Sequence, residues 1–143
     1  MLKGIPSILS PELLKILMEM GHGDTLVIGD GNFPAASIAK GSHLVRLDGH
    51  GVPEILDAIL QLYPLDPYVE EPVQLMEVVP GDDVATPIWD EYAKIIEKHE
   101  PGTKIGHIER FAFYDEAAKA YAVVATGESA LYANIILKKG VVK

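Results

Sequence analysis

Apolar residues recur at helical spacing in three segments of the chain. The first begins after Ser10, where a capping hydroxyl, a proline and an acid follow one another, and Gly21 predicts its end. The other two cover residues 52–63 and 87–99, and each carries its apolar residues on one side. These segments predict amphipathic helices that bury one face.

Six short apolar runs alternate with the helical segments and predict strands. They cover residues 25–30, 43–47, 73–79, 105–109, 121–126 and 134–138. Residues 31–40 form a loop or a short helix in this interpretation. About six strands interleaved with about four helices indicate the α/β class. Not every connection is long enough for a helical crossover. We therefore expect a mixed sheet in a three-layer α/β/α arrangement, with residues 1–143 forming a single domain.

The composition limits the kinds of partner. The chain has 143 residues, a hydrophobic fraction of 48% and no cysteine, which excludes a disulfide scaffold, a thiolate zinc site and a thiol nucleophile. A net charge of −9, with few clustered Lys and Arg residues, makes nucleic acid a poor partner. Prolines and charges interrupt the N-terminal segment, and no apolar run matches a membrane span. We expect a cytoplasmic protein that binds a small molecule and has no nucleic-acid or membrane partner.

The segment Gly21-His22-Gly23-Asp24 presents one histidine between two glycines. Glycine removes side-chain bulk, so the imidazole of His22 is expected to be accessible, and near neutral pH it can take or give a proton. The same pattern is also typical of an ordinary helix end that carries a surface histidine. The residues alone leave both interpretations open.

Asp30 directly follows a strand that is expected to be buried on both faces. Ligands of open α/β sheets bind at the carboxyl ends of strands, and a carboxylate there can accept two hydrogen bonds from sugar hydroxyls. Alternatively, Asp30 caps the following turn. The histidines and carboxylates between His22 and His50 match no metal-ligand spacing, so we expect no metal site.

Polar side chains gather in apolar surroundings near the C-terminus. If residues 109–119 are helical, Arg110 and Tyr114 lie one turn apart on one face. If residues 132–134 are extended, Tyr132 and Asn134 share a face. Guanidinium, phenol and amide groups would then converge on the hydroxyls of a ligand. The alternative is a half-buried edge strand without a ligand.

Five motifs follow one another along nearly the whole chain. They are Met20-Gly21-His22-Gly23-Asp24, Asp30 with Phe33-Pro34, Arg110-Phe111-Ala112-Phe113-Tyr114, Thr126-Gly127-Glu128 and Tyr132-Ala133-Asn134-Ile135. Together they resemble the ribose pyranase/fucose mutarotase family, and most closely its L-fucose mutarotase branch. One departure is Asn32, where some members carry histidine.

The resemblance implies an isomerase that interconverts the α and β anomers of a free monosaccharide, L-fucose above others, by acid/base ring opening and reclosure without a cofactor or metal. It implies His22 as the proton donor. The residues that it places around the sugar are Asp30, Arg110, Tyr132 and Asn134, joined in the fucose branch by Tyr114, Asp66 and Met76. It also implies a homo-oligomeric ring, often a decamer. Two alternatives are a ribose pyranase-type isomerase of ring forms and a non-catalytic sugar-binding or transport-accessory module.

The spacing of His22 and Asp30 raises a question about how one sugar meets both. If residues 24–30 form one straight strand, eight residues separate the two side chains by up to about 26 Å. Either the chain bends sharply at Gly23 or Gly29, or the two residues serve one sugar from different subunits.

Overall fold

A mixed six-stranded sheet organises the chain, and the computed structural model describes all 143 residues. The strands are β1 (Thr25–Gly29), β2 (His43–Leu47), β3 (Val73–Met76), β4 (Ile105–Ile108), β5 (Ala122–Thr126) and β6 (Ile135–Lys138). Their order in the sheet is β2-β5-β1-β6-β3-β4. Five strands run in one direction, and β6 lies antiparallel between β1 and β3. The predicted mixed sheet is therefore confirmed.

Helices cover both faces of the sheet. They are α1 (Pro11–Glu19), α2 (Ala35–Ile38), α3 (Val52–Leu60), α4 (Pro87–His99) and α5 (Arg110–Ala118), with a 3-10 turn at Ala39–Gly41. Alternate strand residues enter two separate cores: Leu26 and Ile28 pack with α1, α3 and α4, whereas Val27 packs with α2 and α5. This alternation produces the predicted three layers. Burial of each large apolar side chain contributes about 1.5–3 kcal/mol to folding.

The boundaries of α1 show which local signals were sufficient. Ser10 caps the helix as predicted, since its Oγ accepts from the Leu13 N–H at 3.2 Å. The helix ends at Glu19, and the left-handed residue of the following turn is Gly23 (φ +88°), not Gly21. The ammonium group of Lys139 donates to the carbonyls of Leu17, at 2.8 Å, and Met20, so a cation from beyond β6 completes the helix end.

Two predicted bounds differ from the structure, and two segments that the sequence left open take a defined conformation. The helix predicted for residues 52–63 ends at Leu60. The strand predicted for residues 73–79 ends at Met76, where the chain leaves the sheet. The segment 31–40 contributes the short α2, which brings the helices to five. Residues 132–134 are not extended, since Tyr132 is left-handed (φ 55°). The longest helix has 13 residues, and none of the five could cross a membrane.

Candidate active site

A cleft of about 290 Å³ opens at the edge of the sheet where β1, β3 and β4 end and β6 begins. This is the edge at which open α/β sheets bind ligands, because side chains from several loops converge there. Six of the eight residues predicted for the site line the cleft: Asp30, Met76, Arg110, Tyr114, Tyr132 and Asn134. The fold thus gathers residues that are up to 104 positions apart in the chain.

Asp30 is the buried charge of the cleft, with 7% of its surface exposed. Its carboxylate accepts from the N–H groups of Asn32 (3.0 Å) and Ala133 (3.4 Å). Burial nevertheless raises the pKa of Asp30 above its ordinary value, because desolvation outweighs these hydrogen bonds. Both carboxylate oxygens keep lone pairs for a ligand, so the capping and ligand-binding roles of Asp30 are compatible.

Asn134 is joined directly to the backbone of Asp30. The side-chain Oδ1 of Asn134 accepts from the Asp30 N–H at 2.7 Å, and the residue is only 6% exposed. The amide oxygen is therefore engaged, which fixes the orientation of the group and leaves its NH₂ to donate into the cleft. Thr126 adds a second tie, since its hydroxyl donates to the Gly29 carbonyl at 2.8 Å.

Tyr132 reaches the cleft through a backbone conformation that non-glycine residues seldom adopt. Two donors of α4 stabilise it: Trp89 Nε1–H donates to the Tyr132 carbonyl at 2.8 Å, and the Tyr92 hydroxyl donates to the Ala133 carbonyl at 2.7 Å. Such left-handed residues persist where the surroundings over-determine them, and they cluster at functional sites. The phenol is thereby directed towards the loop that follows β3.

The loop after β3 meets the phenol of Tyr132. The Tyr132 hydroxyl donates to Asp82 Oδ2 at 2.5 Å and accepts from the Val79 N–H at 3.3 Å. The hydrogen bond to Asp82 raises the pKa of Tyr132 above its ordinary value. Asp82 and Val79 line the cleft, although neither was among the predicted site residues. No local pattern could have found Asp82, because its contact depends on the left-handed Tyr132.

Arg110 and Tyr114 form the opposite rim of the cleft, one helical turn apart as predicted. Arg110 Nε–H donates to the Tyr114 hydroxyl at 3.2 Å, while Glu109 caps α5 by accepting from two backbone N–H groups. The Arg110 side chain takes part in no salt bridge. Its remaining N–H groups are free to donate to ligand hydroxyls.

Apolar side chains complete the walls. The ring of Phe33 lies edge-on against Tyr114 at 5.9 Å, and Met76 and Leu131 line the same cleft. A Cβ at Gly29 would lie 2.8 Å from the Phe33 ring, so only glycine lets Phe33 pack this closely against the end of β1. The cleft therefore offers both hydrogen-bonding groups and a hydrophobic surface, the usual composition of a small-molecule site.

His22 and Asp66 lie together at the opposite edge of the sheet. His22 Nε2 is 3.1 Å from Asp66 Oδ1, and the Tyr68 ring lies 5.4 Å from the imidazole. Burial alone would raise the pKa of Asp66, but hydrogen bonds from the Tyr68 N–H and from His22 lower it below its ordinary value. Asp66 is 4% exposed, whereas 45% of the His22 side chain is exposed.

The strand β1 separates His22 from the cleft within one chain. His22 precedes β1 and Asp30 follows it, and β1 pairs with β5 on one side and with β6 on the other. At about 3.3 Å per residue, the five residues of β1 alone separate their end Cα atoms by roughly 13 Å. The chain does turn at Gly23, but this turn lies before β1 and does not bring His22 to the cleft. His22 and Asp66 therefore do not contact the other six predicted residues in one subunit.

Comparisons with known proteins agree with this architecture. A sequence model of the "RbsD / FucU transport protein family" matches residues 3–142. The chain is 54% identical over 144 residues to the fucose mutarotase of Homo sapiens, an alignment that covers 98% of this chain and 94% of that protein.

Two solved structures superpose on nearly every residue. FucU from Bifidobacterium longum matches with a TM-score of 0.96 and 64% identity, covering 99% of this chain and all of that one. The fucose mutarotase of Streptococcus pneumoniae in complex with L-fucose matches with a TM-score of 0.92 and 55% identity, again over 99% of this chain and 100% of the other. The family expected from the motifs is confirmed: this chain belongs to the RbsD/FucU family.

Proposed function

We propose that this protein is an isomerase that interconverts the α and β anomers of L-fucose. The observation that carries the proposal is the cleft, where two carboxylates, two amides, one guanidinium and two phenols stand beside an apolar wall. This set matches a free monosaccharide, whose ring presents both hydroxyl groups and C–H surfaces. Full-length relatives that are named fucose mutarotases support the choice of sugar.

The reaction needs a proton carrier and a means of orienting the sugar. Ring opening breaks the C1–O5 bond, takes the proton from the anomeric hydroxyl and places a proton on O5. The open aldehyde then rotates about C1–C2 and recloses. Opening moves one proton from O1 to O5 and reclosure returns it, without any oxidation or reduction, so acid/base catalysis is sufficient.

In this proposal His22 carries the proton. The lowered pKa of Asp66 keeps that carboxylate ionised, and an ionised carboxylate can only accept, so the Nε2 of His22 carries hydrogen and donates to it. Nδ1 of His22 is then free to take the proton from O1 and, as the proton donor, to deliver it to O5. Asp66 stabilises the resulting imidazolium and holds the ring in place.

The active pocket lies between two subunits in this proposal. One chain supplies the cleft with Asp30 and Tyr132, and a neighbouring copy supplies His22 with Asp66. The length of β1 supports this arrangement, because no side-chain rotation brings His22 and Asp30 of one chain to the same small ring. A homo-oligomeric ring, as expected from the family resemblance, would supply such an interface at every subunit.

A second candidate is a sugar-binding module that does not catalyse exchange. The description of the matching family as a transport protein family favours it. The two functions differ at His22, which exchange requires and binding does not.

Replacing His22 by alanine should slow α/β exchange of L-fucose by about a hundredfold or more, the usual contribution of a general acid or base. Saturation-transfer NMR measures the exchange. The unfolding temperature should stay close to that of the wild type, because the side chain is half exposed. His43→Ala, at the exposed start of β2, is the matched control and should exchange normally. Wild-type exchange in the His22→Ala protein would contradict the assignment.

The apolar wall should make L-fucose a better substrate than sugars that lack its C5 methyl group. D-Arabinopyranose has the same ring hydroxyls without that methyl, so the pair isolates one methyl contact with Met76, Phe33 or Leu131. We expect kcat/KM to be about fourfold to tenfold higher for L-fucose, as for burial of one methyl group. D-Ribose, which also differs in hydroxyl geometry, should be slower still. Faster exchange of ribose would favour the ribose pyranase alternative.

Mixing two inactive variants should restore exchange. When His22→Ala and Asp30→Ala chains are unfolded, mixed in equal amounts and refolded, about one quarter of the pockets combine an intact His22 with an intact Asp30 if two chains build each pocket. Exchange should therefore return to about that fraction of the wild-type rate. Each variant refolded alone is the control. Mixed assemblies that form, by native mass spectrometry, yet stay inactive would place the pocket within one chain.

Acidification should weaken sugar binding at a higher pH than an ordinary aspartate would require. The raised pKa of Asp30 means that its carboxylate, the acceptor for sugar hydroxyls, is neutralised before the pH reaches 3.8. Calorimetric titration with L-fucose from about pH 8 to pH 4 tests this in the His22→Ala protein, which lacks the imidazole. In this protein the affinity for L-fucose should decrease as the pH is lowered. In the double variant that also carries Asp30→Asn, the affinity should not change with pH. A pH-independent affinity in the His22→Ala protein would exclude Asp30 as the acceptor.

A further inference from the structure

The loop that joins β3 to α4 carries one side chain whose contact the reaction described above does not explain. Asp82 is exposed on this loop and takes part in no salt bridge, yet its Oδ2 accepts the phenolic hydrogen of Tyr132 at 2.5 Å. The neighbouring Asp83 is equally exposed and makes no side-chain hydrogen bond. Two adjacent carboxylates on one loop thus differ only in whether they reach the cleft.

We propose that Asp82 is a positioning residue for the sugar reaction: by accepting the hydrogen of the Tyr132 phenol, it turns the phenol oxygen into a hydrogen-bond acceptor for a sugar hydroxyl. This inference rests on the proposed function. It assigns Asp82 no contact with the reacting atoms. Its effect is exerted through Tyr132.

The hydrogen-bonding capacity of the phenol leads to this inference. A phenol has one hydrogen to donate and an oxygen that can accept. Asp82 takes the hydrogen, and the Val79 N–H occupies part of the accepting capacity at 3.3 Å. What remains for a ligand is acceptance alone. A carboxylate makes a stronger acceptor than a sugar hydroxyl, so the direction of the Tyr132 hydrogen bond is decided before the sugar arrives.

The other cleft residues show why the direction of the Tyr132 hydrogen bond matters for sugar binding. Arg110 and the amide NH₂ of Asn134 can only donate to the sugar, and Asp30 can only accept. With Asp82 in place, Tyr132 joins Asp30 as a second acceptor. Among these four groups two are then fixed acceptors and two are fixed donors, which restricts the orientations in which a ring with several hydroxyls can bind.

Asp82 and the backbone of Tyr132 have separate tasks. The donors of Trp89 and Tyr92 hold the left-handed backbone from beneath, so the ring stays near the cleft whether Asp82 is present or not. Loss of Asp82 would instead free the phenolic hydrogen to point at the sugar. The expected defect is therefore one of sugar binding and not of folding.

The test compares Asp82→Ala with Asp83→Ala, which removes the same charge from the next position. Saturation-transfer exchange over a range of L-fucose concentrations gives KM and kcat. Asp82→Ala should raise KM about threefold to tenfold, the effect of one net hydrogen bond, with kcat within about twofold of wild type. Asp83→Ala should match wild type. Asp82→Asn, whose amide oxygen can still accept, should recover part of the loss.

A double-mutant cycle decides whether Asp82 acts through Tyr132. In a Tyr132→Phe protein, the further change Asp82→Ala should alter KM by less than about twofold, because the hydrogen that Asp82 holds is gone. An undiminished effect in that protein would mean that Asp82 binds the sugar itself, and equal effects of Asp82→Ala and Asp83→Ala would mean that only the loop's charge matters. Either result overturns the inference.

A measurement without sugar keeps the two proposals apart. NMR of protein labelled with ¹³C at the tyrosine ring Cζ follows ionisation of the Tyr132 phenol, assigned with Tyr132→Phe. The Tyr132 pKa should lie above its ordinary value in wild type, fall in Asp82→Ala and stay raised in Asp83→Ala. If wild type lacks exchange, the proposed function fails while this titration still tests the pairing. If wild type exchanges L-fucose and Asp82→Ala leaves the titration unchanged, the inference alone fails.

Discussion

The hydrogen bond from the Asp30 N–H to the side-chain oxygen of Asn134 joins the end of β1 to the start of β6. The cleft depends on it, because β6 is the one strand that begins at the edge where the others end. The chain must enter that edge from the loop 127–134 and present several side chains as it does so. By engaging the oxygen of Asn134, this bond also fixes which part of the amide faces the ligand.

The same edge holds a charge that the fold does not favour. Because the pKa of Asp30 is raised, its ionisation at neutral pH costs folding free energy, and this cost is relieved as the pH falls through the raised pKa to below the ordinary value. The N–H groups of Asn32 and Ala133 offset part of this cost. An ionised carboxylate in a mostly buried position is well suited to accept hydrogen bonds from sugar hydroxyls, because there they do not have to compete with water for it.

Local signals predicted most of the elements, and long-range contacts decided the rest. Helix α4 has the predicted bounds, and Arg110 and Tyr114 lie one turn apart, since helical spacing and a proline near the start are local properties. The left-handed conformation of Tyr132 has no local signal, because it depends on donors from α4 more than 40 positions earlier. The role of Asp82 could not be predicted for the same reason, since the only side-chain partner of Asp82 is Tyr132.

The motif order places His22 and Asp30 in one functional set, and the sequence left open whether a bend brings them together. The paired strand β1 keeps them at its opposite ends. Asp66 lies with His22 and not with the cleft, so the division separates the proposed proton carrier and its partner from all the groups that orient the sugar. In the proposed reaction each chain therefore contributes to two sites: its cleft to one, and its His22 with Asp66 to another. Activity then depends on how accurately one subunit places its His22 against the Tyr132, Arg110 and Asp30 of its neighbour, and a substitution far from either cluster could abolish exchange by shifting the interface between chains.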